Sequence, residues 1–238
     1  MMKSTAQGNL QIVSDRLIFC YDVANSNSFP KLTNALELRN LARIDDFILP
    51  ESGSTAAIDS NVVYTNQYGG GLVCNDSGFI QFPGFADITL SDYTIEFVIS
   101  PDTLNNTTPA TENYIIKSDE PDGLFIKYYE NDQAQLEYGS SGTTNTHTTA
   151  MQATNLVYHF LLTYESFGDD YEIFVGFDNE RSAKKGSLWT TINYPFKIGY
   201  NFDNFKLFQF RIYNKVLSTD EIQINREQFR RRYGIKLA

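Results

Sequence analysis

The sequence predicts an all-β protein, a two-layer antiparallel β-sandwich finished by one short C-terminal helix. Three observations carry that expectation. Residues 156–177, LVYHFLLTYESFGDDYEIFVGF, place apolar side chains at period two in two arms, Leu156, Tyr158, Phe160, Leu162 and Tyr164, then Tyr171, Ile173, Val175 and Phe177. The chain's 238 residues include 18 Phe and 15 Tyr against 3 Met, which suits pleated strands better than packed helices. An extended helical pattern occurs only at the end.

Taken in order, residues 1–14 are polar and read as an N-terminal arm, and residues 15–238 as one domain that includes a helix over 218–232. Residues 16–22, RLIFCYD, are the first strand, followed by a turn-rich loop that Pro30 stiffens. Up to Ser60 short apolar patches without a sustained period indicate an ordered crossing loop. Strands resume in VVYT, GGGLVCN and GFIQFPG, with Gly69, Gly70 and Gly71 marking a sharp turn or a close backbone approach. That triplet lacks the Lys-Ser/Thr pair of a phosphate loop.

Residues 92–100, DYTIEFVIS, alternate with Tyr93, Ile95, Phe97 and Ile99 inward and Thr94 and Glu96 on the other side; Pro101 is expected to end the strand. Residues 113–117, 124–130 and 133–138 form a meander, and residues 139–150, GSSGTTNTHTTA, read as a polar loop. The other row of the first hairpin arm, Val157, His159, Leu161 and Thr163, is also largely apolar, so both faces of that strand should be partly covered. Residues 181–187 read as a charged turn, and 188–192, 196–200 and 205–213 as strands. Ser218 with Glu221 three residues on is a capping pair for the final helix, docked across the sandwich rim by Leu217, Ile224 and Phe229.

A net charge of −10 and a pI near 4.7 argue against a nucleic-acid backbone or an anionic membrane as partner. The cluster Arg226, Arg230, Arg231 and Arg232 complements the dipole at a helix C-terminus. Nowhere do about 18 apolar residues run together, and the first residues lack a signal-type apolar core, so a soluble chain made in the cytosol is expected. Cys20 and Cys74 lie in apolar strand patterns, where free buried thiols are expected.

Several stretches together resemble the concanavalin A-like lectin and glucanase superfamily, especially its laminin-G or pentraxin-like jelly-roll modules. They are LIFCYDVANSNSFP, GGGLVCNDSGFIQFPG, YTIEFVI, the pair YHFLLTYE and YEIFVGFDNE, and FKLFQFRIYNKVLSTDEIQINREQF. The opening and the final RRRYGI are similar to modules of bacteriophage structural and adhesion proteins. The resemblance implies a non-enzymatic virion structural protein, assembled in the host cytoplasm and serving capsid decoration, a fibre or a tail. Its partners would be other virion subunits or copies of itself in a homo-oligomer, with a cell-surface glycan as an attachment target. A free carbohydrate-binding adhesin domain is the alternative, followed by a glycoside hydrolase.

Sugar binding stacks an aromatic ring on the apolar face of a sugar while amides take the hydroxyls. Tyr68, Tyr128, Trp189 and Tyr200, with Asn201 and Asn204, are the candidate ligand-binding residues, Trp189 leading among the rings. Glycoside hydrolysis needs two carboxylates about 5.5 Å apart or farther, and the paired-carboxylate strand signature of the fold's enzymes is missing. Glu96 and Glu172 therefore read as isolated residues of a solvated face, and no catalytic residue is assigned. His159 reads as a structural hydrogen-bonding residue beside the core. No cofactor and no metal ligand are assigned; calcium would need about six to eight converging oxygens, for which Asp169, Asp170, Asp178 and Asn179, or Asp119, Glu120 and Asp122, are the nearest groups.

Overall fold

The structure is a computed structural model that describes residues 12–25, 27–29, 37–39, 41–42, 55–76, 78–82, 92–103, 113–119, 125–131, 133–140, 143–148, 156–165, 170–175, 180–185 and 195–233. At 102–103, 128–131, 133–140, 143–148, 170–175, 180–185 and 203 the description is of the backbone. In chain order the strands are β1 (Leu17–Asp22), β2 (Glu37–Arg39), β3 (Thr55–Ile58), β4 (Val62–Thr65), β5 (Gly71–Cys74), β6 (Ile80–Phe82), β7 (Tyr93–Thr103) and β8 (Asn113–Ser118). They continue as β9 (Phe125–Asn131), β10 (Gln133–Ser140), β11 (Thr143–Thr148), β12 (Tyr158–Glu165), β13 (Asp170–Val175), β14 (Glu180–Lys185), β15 (Phe196–Tyr200) and β16 (Asp203–Tyr213), before helix α1 (Thr219–Tyr233).

Two antiparallel sheets form the sandwich. Sheet A runs β14-β13-β12-β7-β16-β5-β4, with β1 also paired to β16; sheet B runs β11-β10-β9-β8-β15-β6-β3-β2. The inward rows read from the sequence meet between them, Phe97, Ile99, Phe160, Leu162, Phe210 and Ile212 from sheet A against Phe82, Ile116, Ile126, Phe196 and Ile198 from sheet B. The Phe210 ring lies 4.9 Å from Phe82, 5.0 Å from Phe97 and 5.8 Å from Phe196, so the phenylalanine surplus is spent on joining the layers.

The hairpin that led the prediction forms as β12 and β13, with Phe160 opposite Val175 and Tyr164 opposite Tyr171. Both faces of β12 are covered: Phe160 and Leu162 enter the inter-sheet core, and Leu161, like Val157 just before the strand, joins a smaller cluster outside sheet A. Leu156 precedes the strand and is exposed. The glycine triplet combines both expected roles. Gly70 has φ +147, and a Cβ on Gly71 would stand 2.7 Å from the Phe208 ring. Cys20 and Cys74 are free and buried, and they belong to different clusters, outside sheet A and between the sheets respectively.

Five local expectations change. The stretch up to Ser60, read as a crossing loop, supplies β2 and β3, which pair with each other at the edge of sheet B. Pro101 does not end β7, which continues to Thr103 along β16, with Phe205 opposite Pro101. The β12 register stops at Ile99, so a residue without an N–H at 101 costs that pairing nothing. The polar stretch 139–150 supplies the end of β10 and β11, because β-branched threonines suit an edge strand. The charged stretch 181–187 lies mostly in β14, the edge of sheet A, where charges discourage pairing with another chain. Helix α1 lies on the outer face of sheet A, not on the rim, and Ile222 and Phe229 dock it while Ile224 is exposed. Residues 188–192 lie outside the described residues.

Candidate functional site

The two outer faces of the sandwich carry the chain's polar chemistry. On sheet A the central group is Glu96 of β7, which is 1% exposed. Its Oε2 accepts from Arg211 Nη1 at 3.0 Å and Tyr213 Oη at 3.4 Å, both on β16. Its Oε1 is 2.7 Å from His159 Nε2 on β12, and Asn225 Nδ2 of α1 donates to both oxygens at 3.2 Å. Glu96 is thus a buried ionic hub, not the solvated-face residue the alternation suggested, because α1 covers this face.

The helix is placed by its own start. The Ser218 N–H donates to Glu221 Oε2 at 3.0 Å and the Glu221 N–H to Ser218 Oγ at 3.3 Å, the reciprocal capping pair read from the sequence. Farther along, the Phe229 ring lies 4.4 Å from His159 and 4.9 Å from the Arg211 guanidinium. The polar chain then continues through Gln209 to Asp22, which Arg232 grips with both nitrogens at 2.6 and 2.7 Å. The arm is partly tied down too, since the Val13 N–H donates to Asn225 Oδ1 at 3.1 Å.

Burial pushes the Glu96 carboxyl up, but the Arg211 charge and the His159 bond outweigh it and hold it below its ordinary range. Burial also pushes His159 down, and together with the charges of Arg226 and Arg211 it outweighs the upward pull of Glu96. The neutral ring carrying its proton on Nε2 fits this placement, because Nδ1 has no hydrogen-bond partner and a second N–H there would be buried unsatisfied. A carboxylate bonded by an arginine, a tyrosine, an asparagine and a histidine holds the helix on the sheet. His159 is structural, as the sequence suggested.

The outer face of sheet B is built differently. Lys117 of β8, Lys127 of β9 and Lys197 of β15 each adjoin an inward residue, Ile116, Ile126, and Phe196 with Ile198, so all three point away from the core. Adjacent pairing brings them together, with Lys197 directly opposite Lys117 and Tyr114 opposite Lys127. Gly199, at φ +76, breaks the alternation of β15, so Tyr200 pairs with Tyr114 and shares the lysine face. A Cβ at Gly199 would meet Cys74 Sγ and the Phe205 ring at 2.8 Å, so only glycine fits there.

Rings and ammonium groups interleave on this face. Lys117 Nζ is 4.6 Å from the Tyr114 ring centre and 4.9 Å from that of Tyr200. Lys127 lies 5.4 Å from Tyr114 and 4.9 Å from Phe125, and Lys197 lies 5.5 Å from Tyr200 and 5.2 Å from Phe79. Lys197 also pairs with Asp119 at 2.7 Å. The arrangement can stack an apolar ring and answer a negative or hydroxyl-rich group beside it.

The sequence-predicted ligand residues do not all converge here. Tyr200 is in the face, Asn201 follows it in the turn between β15 and β16, and Asn204 stands near the start of β16; their φ values of 61 and 56 suit a residue that tolerates the left-handed region. Tyr68 lies beyond the other sheet, its ring 5.6 Å from Phe208 and 5.9 Å from Tyr233 of α1. Tyr128 is in β9 opposite Asn113, its side chain outside the described residues, as are Trp189 and the side chain of Glu172. Tyr114, Phe79 and the three lysines were missed, although the repeated pairs Ile-Lys, Ile-Lys and Phe-Lys in three strands were a usable signal. Of the acidic groups weighed for calcium, Asp119 is engaged by Lys197 and Gln81; Asp169, Asp178, Asn179, Glu120 and Asp122 lie outside the described residues, as does the side chain of Asp170. Among the described residues no group of three or more His, Cys, Asp or Glu is placed to hold a metal.

A two-sheet sandwich with a helix over one outer face and rings interleaved with lysines on the other has the architecture of a lectin-like jelly-roll module. The chain belongs to the concanavalin A-like lectin/glucanases superfamily: the family's Laminin G 3 model matches residues 75–223, more than half of the sequence. No curated protein matches it in sequence. Among solved structures it is similar to the binding domain of Paraclostridial Mosquitocidal Protein 1, at 17% identity and a TM-score of 0.64, over 90% of this chain and 52% of that one. It is similar also to domain 4 of the arabinanase AbnA of Geobacillus stearothermophilus, in complex with arabinotriose, at 16% identity and a TM-score of 0.59, over 89% and 97%. A third is Trypanosoma rangeli sialidase in complex with sialic acid, at 16% identity and a TM-score of 0.58, over 88% and 32%. This chain therefore spans about half of the first and a third of the last.

Proposed function

We propose that this protein is a non-catalytic, glycan-binding module that engages sugar on the outer face of sheet B around Tyr200, and that it serves as a structural part of a bacteriophage virion. The observation that carries the binding reading is the set of partly exposed rings of Phe79, Phe125 and Tyr200 around the buried ring of Tyr114, with three partly exposed lysines among them. Further support comes from the similar structures that hold arabinotriose and sialic acid. The non-catalytic reading is supported by Glu96, whose oxygens are occupied and sealed below α1. The virion setting, as capsid decoration, fibre or tail, is supported by the resemblance of LIFCYDVANSNSFP and RRRYGI to phage modules.

Tyr200→Ala tests the binding face. A glycan array probed with the whole chain should give specific retention, and the variant should lose it by about tenfold or more, the size of a lost ring-stacking contact. An array without retained sugars would end the glycan reading. Mass spectrometry of purified particles tests the setting, where a fixed copy number is expected and absence from particles would exclude it.

A further inference from the structure

We infer that the aromatic and lysine face selects acidic sugars, those carrying a carboxylate or a sulfate, over neutral ones; this rests on the glycan reading above and specifies its ligand class. The observation is the register of β8 and β15, which sets Lys117 directly opposite Lys197. Like charges directly opposite across two strands destabilise the pair, so this placement needs an anion nearby. Asp119 supplies one for Lys197, with Nζ and Oδ1 2.7 Å apart. Lys117 is held by rings, 4.6 Å from the centre of Tyr114 and 4.9 Å from that of Tyr200, and Lys127 also lies against the Tyr114 ring, at 5.4 Å.

Ammonium groups set against rings are fixed and partly dried, which strengthens their attraction for an anion docked beside them. Tyr200, which is partly exposed, supplies a stacking surface for the sugar beside them. A ligand with an apolar ring face and a negative substituent uses both features at once, whereas a neutral sugar uses only the first. The protein as a whole carries −10. An acidic glycan is therefore repelled by most of the surface and is retained only where positive charge is concentrated, which makes this face selective as well as attractive.

The test uses the full chain and matched probes on one array, oligogalacturonides against their carboxyl-reduced forms and heparin oligosaccharides against their desulfated forms, beside unrelated neutral oligosaccharides. At least one acidic form should bind about fivefold or more tighter than its neutral counterpart, the size of one well-placed charge contact, and the margin should shrink as salt rises. The carboxylate and sulfate pairs separate the two sources of charge. Lys117→Gln should bring the acidic-to-neutral ratio toward one, while Arg231→Gln, which removes the same charge from the exposed side of α1, should leave it unchanged. Equal binding of acidic and neutral partners, or retention of neutral sugars only, overturns this inference and spares the glycan reading. Retention of none overturns both. A ratio unaffected by Lys117→Gln in a variant with wild-type thermal unfolding also overturns it.

Discussion

The outer faces of the two sheets are written in the same alternating code and end in opposite states. On sheet A the outward residues include Thr94 and Glu96 of β7, His159 of β12 and Arg211 of β16, and all four are buried. On sheet B they are Lys117, Lys127, Lys197 and Tyr200, all of them partly exposed. The difference lies in complementarity. Sheet A sets a carboxylate against a guanidinium, with amide and hydroxyl donors able to fill the remaining lone pairs, so a helix can cover the group without stranding a charge. Sheet B gathers three ammonium groups around rings with only Asp119 paired to them among the described side chains, and covering them would bury an excess of positive charge. A polar residue at an outward strand position thus does not by itself indicate solvent. The signs of its neighbours on adjacent strands decide.

The largest effect should come from breaking the sheet A hub. Glu96→Ala leaves Arg211, 3% exposed, with its carboxylate gone and the Asn225 amide without either acceptor oxygen. Removing one partner of a buried pair costs about 3–5 kcal/mol, because the other charge stays desolvated. Urea unfolding should show that loss, or the variant should accumulate insoluble; Asn225→Ala, which spares the ion pair, should cost less, about 1–3 kcal/mol. A Glu96→Ala midpoint within the error of wild type would mean that the two faces do not differ in the way described.

Acid should act on the same hub. His159 resists protonation when folded, whereas the unfolded chain takes up a proton near the ordinary value of 6.5. The unfolded state then binds more protons, and stability falls as pH drops from about 6.5 toward the lower folded value. Glu96 is held below its ordinary 4.5, so its contribution is complete above 4.5 and is lost as pH falls through its folded value. Unfolding free energies between pH 7.5 and 5 should decline by at most about 1.4 kcal/mol per pH unit for the one proton at His159. His159→Gln should flatten that part of the profile, and an unchanged slope would place the titration elsewhere.

These relations also explain what the sequence could and could not disclose. The inward rows were legible because period two is a local property, and so the hairpin at β12 and β13, the strands β1, β7 and β16, and the Ser218 and Glu221 cap were all readable. Glu96 was not, because its burial depends on Asn225 and Phe229, more than 120 residues away in sequence, folding back over β7. The lysine face was hidden for the same reason. Lys117, Lys127 and Lys197 look like ordinary surface residues until the order β9-β8-β15 makes them neighbours, and the contribution of Tyr200 depends on the backbone turn at Gly199. The charged stretch now in β14 and the threonine-rich β11 misled in the opposite direction, since edge strands need no strong apolar pattern.

A smaller effect is expected where the helix begins. Ser218→Ala removes the acceptor for the Glu221 N–H and one hydrogen bond to the Glu221 carboxylate, which Lys215 also holds at 2.6 Å. The loss should be about 1 kcal/mol by urea unfolding. Because α1 is what closes sheet A, Ser218→Ala should also speed hydrogen exchange at the helix amides, leaving β8 and β15 unaffected. Uniform acceleration across both sheets would show instead that the helix and the sandwich open as one unit.

The smallest effect on stability should come from sheet B, and its sign is informative. Lys117→Gln removes one of two ammonium groups placed directly opposite each other and, with it, the ammonium contacts to the rings of Tyr114 and Tyr200. Loss of the cation–π contacts opposes relief of the repulsion, and each is worth roughly 0.5–1 kcal/mol on a partly exposed face. The two should nearly cancel, giving a change within about 0.5 kcal/mol of zero at low salt. At high salt the repulsion is screened, and the same substitution should become mildly destabilising, since the screened pair gains nothing from losing a charge. A change above 2 kcal/mol at either salt would make Lys117 a structural residue like Arg211 and erase the contrast between the faces. A near-zero change, with binding altered, is what a face held ready for a ligand requires.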